Sequence, residues 1–72
     1  MLIDGQLFEL INDDFSENVA EKDSQKTVFH KVSDEDGCSE FFKSISDDTI
    51  LYGFHMDEKG WVILVTKYKL VK

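Results

Sequence analysis

The chain has 72 residues, 15 carboxylates against eight lysines and no arginine, a net charge of −7, 42% hydrophobic residues, no proline and one cysteine. One domain fits this length, and such a domain buries ~60% of its unfolded surface; its apolar content argues against disorder, and Cys38, alone, excludes an internal disulfide, which favours a reducing, cytoplasmic location. A charge of −11 over residues 1–58 repels phosphates, and without arginine the chain lacks the planar fork that reads bases, so direct nucleic-acid recognition is not expected.

At the start, Met1-Leu2-Ile3-Asp4-Gly5 has no basic stretch of an export signal. The longest apolar run, residues 61–65, falls far short of the ~20 residues of a membrane span, so a soluble protein without a membrane partner is expected. Ile3, Leu7, Leu10 or Ile11, and Phe15 recur at helical spacing, while Leu7, Glu9 and Ile11 alternate as in a strand. A single sheet needs a second layer over its apolar face, and residues 3–20, helix or strand, are the segment expected to supply it. Residues 16–27 are polar, consistent with a solvated helix or a connector.

From residue 26 onward the expected fold is a four-stranded antiparallel meander, with strands at about 26–33, 38–45, 49–56 and 61–71, giving an α+β domain. Val32-Ser33-Asp34-Glu35-Asp36-Gly37 and His55-Met56-Asp57-Glu58-Lys59-Gly60 each set Asp-Glu-x-Gly between strand-forming runs, the chemistry of a hairpin turn. Four-residue loops would set Lys31 opposite Glu40, Phe29 opposite Phe42, Met56 opposite Trp61 and Phe54 opposite Ile63; three-residue loops would slip each register by one. Residues 45–50 read as a third reversal. A competing reading makes 38–45 a short helix, because Cys38, Phe41, Phe42 and Ile45 fall at helical spacing, although Gly37 would impair its first turn. The last strand reads as covered on both sides in its first half and half-exposed in its second.

In an up-and-down meander the two acidic turns leave the same end of the sheet and gather Asp34, Glu35, Asp36, Asp57 and Glu58 into a rim offset by Lys59 alone. Hairpins favour Asp for purely local reasons; the functional reading is a partner-binding surface that imitates phosphate spacing and docks on the basic, nucleic-acid-binding surface of another protein. Asp34-x-Asp36-Gly37 departs from a calcium loop, whose twelfth position is a glutamate where this chain has Ile45. His30, Cys38 and His55 lack metal-ligand spacing, and neither a phosphate-binding glycine loop nor a nucleophile elbow is present, so no metal, no cofactor and no enzyme activity are expected.

The reading from a different class gathers Tyr52, Phe54, Trp61, Lys67 and Lys69 on one open face as a platform for a nucleotide or other small ligand. Exposed aromatics would equally suit a homodimer formed through the sheet edge or face. In composition the chain is similar to the compact acidic inhibitors that bacteriophages make against host nucleases and defence complexes, and to immunity proteins and antitoxins. Such a resemblance implies a small binding protein that inhibits or regulates its partner.

Overall fold

The computed structural model describes residues 1–34 and 37–71. Its elements are β1 (Leu2–Ile3), β2 (Gln6–Asn12), α1 (Glu17–Asp23), β3 (His30–Asp34), β4 (Gly37–Lys43), β5 (Ile50–Met56) and β6 (Val62–Leu70). The strands form one antiparallel sheet in the order β1-β2-β6-β5-β4-β3. The α+β class holds in this coarse form, but six strands replace the expected four. Among the described residues no helix is long and apolar enough to cross a membrane.

The N-terminal third accounts for the difference. Asp4 and Gly5 both take positive φ, 49° and 80°, the backbone of a two-residue hairpin turn that pairs Ile3 with Gln6 and Leu2 with Leu7. The hairpin continues the sheet rather than lying over it, because β2 pairs with β6 through Phe8–Leu70, Glu9–Lys69 and Leu10–Tyr68. Strand alternation therefore wins over the helical spacing of Ile3, Leu7 and Leu10. Only α1 lies across a sheet face, and it falls inside the stretch whose polarity suggested a solvated helix or connector.

The expected register of the first hairpin is found, with Lys31 opposite Glu40 and Ser33 opposite Cys38, and β4 is a strand, which overturns the helix at 38–45. Phe29 precedes β3 and donates its N–H to the Phe41 carbonyl at 2.8 Å. The second hairpin departs from expectation: Phe54 faces Val65 and Met56 faces Val62, in place of Ile63 and Trp61. Asp57 is the cause. Its carboxylate accepts from the N–H of Lys59 at 2.9 Å and of Trp61 at 3.0 Å, and its own N–H donates to the Trp61 carbonyl at 2.9 Å. With Gly60 at φ 87° the loop extends through Trp61, and an irregularity between His55 and Met56 shifts the register once more. The third reversal closes through the Ile50 N–H on the Asp47 carbonyl, with Asp47 also accepting from the Thr49 N–H and hydroxyl.

Curvature brings the two ends of the sheet together into a nearly barrel-shaped form, with His30 Nδ1 only 3.6 Å from Asp4 Oδ1. Alternate side chains of β5 consequently enter two different cores. Leu51 joins Ile3, Phe8, Phe41 and Tyr68 inside the curve. Ile50, Tyr52 and Phe54 join Ala20 and Val65 beneath α1. The strand covered on both sides is thus β5, whereas the start of β6, expected in that role, protrudes with Ile63 and Leu64 exposed. Pairing explains the reversal, since β2 reaches β6 only at residues 67–70.

Where β5 crosses β4 and β6, Gly53 leaves no room for a side chain: a Cβ there would stand 2.5 Å from Thr66 Oγ1 and 2.9 Å from the Phe41 ring. Gly53→Ala is expected to destabilise the protein by about 1–3 kcal/mol through overpacking, read as a lower urea midpoint; an unchanged midpoint would show that the two strands can separate without cost.

Candidate partner-binding groove

Helix α1 is only seven residues long and buries Ala20 against its sheet face. Ser16 caps it, accepting from the Val19 N–H at 3.4 Å, and Ala20, fully buried, lets the helix approach the strands closely. Beside the helix a groove of about 500 Å³ remains open. Its floor is apolar: Phe42 and Phe54 meet edge to face at 5.5 Å, and Met56 and Val62 extend the floor toward the loop after β5. Glu17 and Glu21, one helical turn apart, form one wall, and Glu40 of β4 borders the groove as well. Lys26 is the cation in the lining; Lys31, across from Glu40, approaches it at 3.8 Å in a partly exposed pair of the kind that contributes little energy. An apolar floor with three carboxylates around it suits a ligand that is at once oily and positively charged.

The wall is fastened by Asp23 at the end of α1. Its carboxylate accepts from Ser44 Oγ at 2.5 Å, Tyr52 OH at 2.6 Å, and the hydroxyl and N–H of Ser46 at 2.8 and 3.1 Å. A negative charge at a helix C-terminus opposes the helix dipole, and these donors offset that. Led by the Ser44 and Tyr52 hydroxyls, they hold Asp23 down to about 2, while burial, reinforced by Asp23, pushes Tyr52 up to about 12. Backbone bonds complete the tie, with the Ile45 N–H on the Asp23 carbonyl at 2.6 Å and the Gln25 N–H on the Lys43 carbonyl at 2.7 Å. The network is a structural clamp between α1 and the β4–β5 reversal.

On the opposite face, His55 lies between Ser39 Oγ at 3.0 Å from Nδ1 and Thr66 Oγ1 at 3.0 Å from Nε2. Burial lowers its pKa and favours the neutral ring. Cys38 points to the groove side with Ser33 and Met56, so it does not meet either histidine. Among the described residues no group of three His, Cys, Asp or Glu side chains is placed to hold a metal.

The five residues of the acidic rim have separate fates. Glu35 and Asp36 lie outside the described residues, and for Asp34 only the backbone is described, paired with Gly37. The pairs Ser33–Cys38 and Cys38–Met56 put both turns at one end of the sheet, the end toward which the groove floor runs. Asp57 spends its carboxylate on its own loop, and Glu58 is exposed. Of the aromatic platform, Tyr52, Phe54, Lys67 and Lys69 share one sheet face, but Tyr52 and Phe54 are buried on the α1 side and Trp61 stands apart in the loop at 71% exposure. Lys67 reaches over the Phe15 ring at 4.9 Å, and Lys69 is exposed opposite Ile50.

Sequence reasoning missed Glu17, Glu21 and Glu40 as a set. Glu17 and Glu21 at i and i+4 mark one side of a helix, but only the fold shows that this side borders Phe42 and Met56. No family model matches the chain, and no curated protein or solved structure is similar enough to match it.

Proposed function

We propose that this is a non-enzymatic binding protein that docks on a basic surface of another protein and thereby inhibits or regulates it. The observation that carries this reading is the groove beside α1, apolar in its floor and bordered by Glu17, Glu21 and Glu40, with Met56 and Val62 of its floor flanking the loop that holds Asp57 and Glu58. An acidic surface of this extent steers a cationic partner into encounter, and the apolar floor supplies contact area that survives salt better than charge does.

The test is capture from the native cell on immobilised protein, beside a variant carrying Glu35→Lys, Asp36→Lys and Glu58→Lys. Basic proteins retained at low salt by the parent, released as salt rises and lost from the variant are the expected outcome. Retention that is indifferent to both salt and charge reversal would refute an electrostatic docking surface.

A further inference from the structure

Resting on that reading of the groove, we propose that it receives arginine or lysine side chains from an extended partner segment in which cationic and apolar residues alternate. The floor of Phe42, Phe54, Met56 and Val62 offers no hydrogen-bond acceptor of its own in side chains, so a small, fully hydrated cation gains nothing there. A long side chain is different: its methylene stem lies on apolar surface while its charged head reaches a carboxylate. Glu17 and Glu21 on the helix and Glu40 on β4 provide acceptors on two different elements bordering one floor, and half-buried Phe42, backed edge to face by buried Phe54, presents ring surface to a guanidinium or ammonium.

Charge complementarity fixes the occupant. The lining sets three glutamates against Lys26, with Lys31 beside Glu40 at 3.8 Å, and the surrounding surface belongs to a chain of net charge −7. A second copy of the chain would bring like charge to like, and its own alternating stretch, Lys67-Tyr68-Lys69, is already paired on both sides by β2 and β5. An acidic or phosphorylated segment would be repelled by the same groups. A polycation without apolar residues would satisfy the glutamates but leave the floor wet. The volume, about 500 Å³, lies within the ~300–1,000 Å³ typical of ligand sites.

The experiment uses three fluorescent octapeptides on the full chain: alternating leucine and arginine, alternating leucine and citrulline, and alternating serine and arginine. Fluorescence anisotropy should show the leucine–arginine peptide binding at least ~10-fold more tightly than either other peptide, a difference of ~1.4 kcal/mol. Glu17→Lys with Glu21→Lys, both on exposed positions of α1, should abolish that preference, and Met56→Gln should weaken leucine–arginine binding while leaving the serine–arginine peptide unaffected. Circular dichroism of each variant confirms that it is folded. Equal binding of the two arginine peptides, loss of affinity only on Glu58→Lys, or no binding of any peptide would overturn the groove assignment. The first two results leave docking through the acidic rim standing, and the capture experiment above decides that separately. Self-association of the parent that Glu21→Lys abolishes would also overturn it, because the occupant would then be a second copy.

Discussion

Phe8→Ala should remove roughly a third or more of the protein's stability. Phe8 is 2% exposed and meets Phe29 edge to face at 6.4 Å, inside the core that also holds Ile3, Phe41, Leu51 and Tyr68. Truncation of a buried phenylalanine costs about 3–5 kcal/mol, while a 72-residue domain has about 4–10 kcal/mol in total. The ring also joins the N-terminal hairpin to the curved interior, so its loss removes what holds that hairpin in the sheet. Urea unfolding followed by circular dichroism reads the effect. Trp61→Ala is the matched control: at 71% exposure it should change stability by no more than ~0.5 kcal/mol. Equal midpoints for the two variants would show that the core inside the curve is not what stabilises the fold.

Asp23→Asn should cost about 2–3 kcal/mol, because a carboxylate accepting from Ser44, Ser46 and Tyr52 is replaced by an amide that can accept at only one of its two positions. The pH dependence has a definite sign. With the folded value held down from 3.8 to about 2, the Asp23 contribution is present in full above the ordinary carboxylate range and disappears as pH falls toward 2. For Tyr52, raised from 10.0 to about 12, the contribution is complete below pH 10 and is lost as pH rises toward 12. Parent protein should therefore show a larger stability loss at the acid extreme than Asp23→Asn, in which Asp47, held low by the Thr49 hydroxyl, still contributes. Superimposable slopes of stability against pH below 4 in parent and variant would remove Asp23 as the clamp.

Much of the C-terminal two thirds was legible in the sequence. Asp-Glu-x-Gly marked both hairpins, and cross-strand charge matching gave the Lys31–Glu40 register correctly. Alternation failed where a side chain rewired its own loop: Asp57 draws Trp61 into the turn, a tertiary detail that spacing does not encode. The N-terminal third was misread for a different reason. Asp4-Gly5 is a strong two-residue hairpin signal, but the strand before it is only two residues long, and the apolar spacing of Ile3, Leu7 and Leu10 imitates a helix. The acidic turns were read from composition, and Glu35 and Asp36 lie outside the described residues. The groove was not legible, because its floor comes from three strands and its walls from a helix and a strand distant in sequence.

Strand β5 contributes to the packing layers on both of its sides, and this ties the two halves of the molecule into one thermodynamic unit. Loosening one layer strips packing from the other, so thermal denaturation is expected to be all-or-none. A guest bound in the groove would thereby raise the melting temperature of the whole chain, including the N-terminal hairpin on the other side of the sheet.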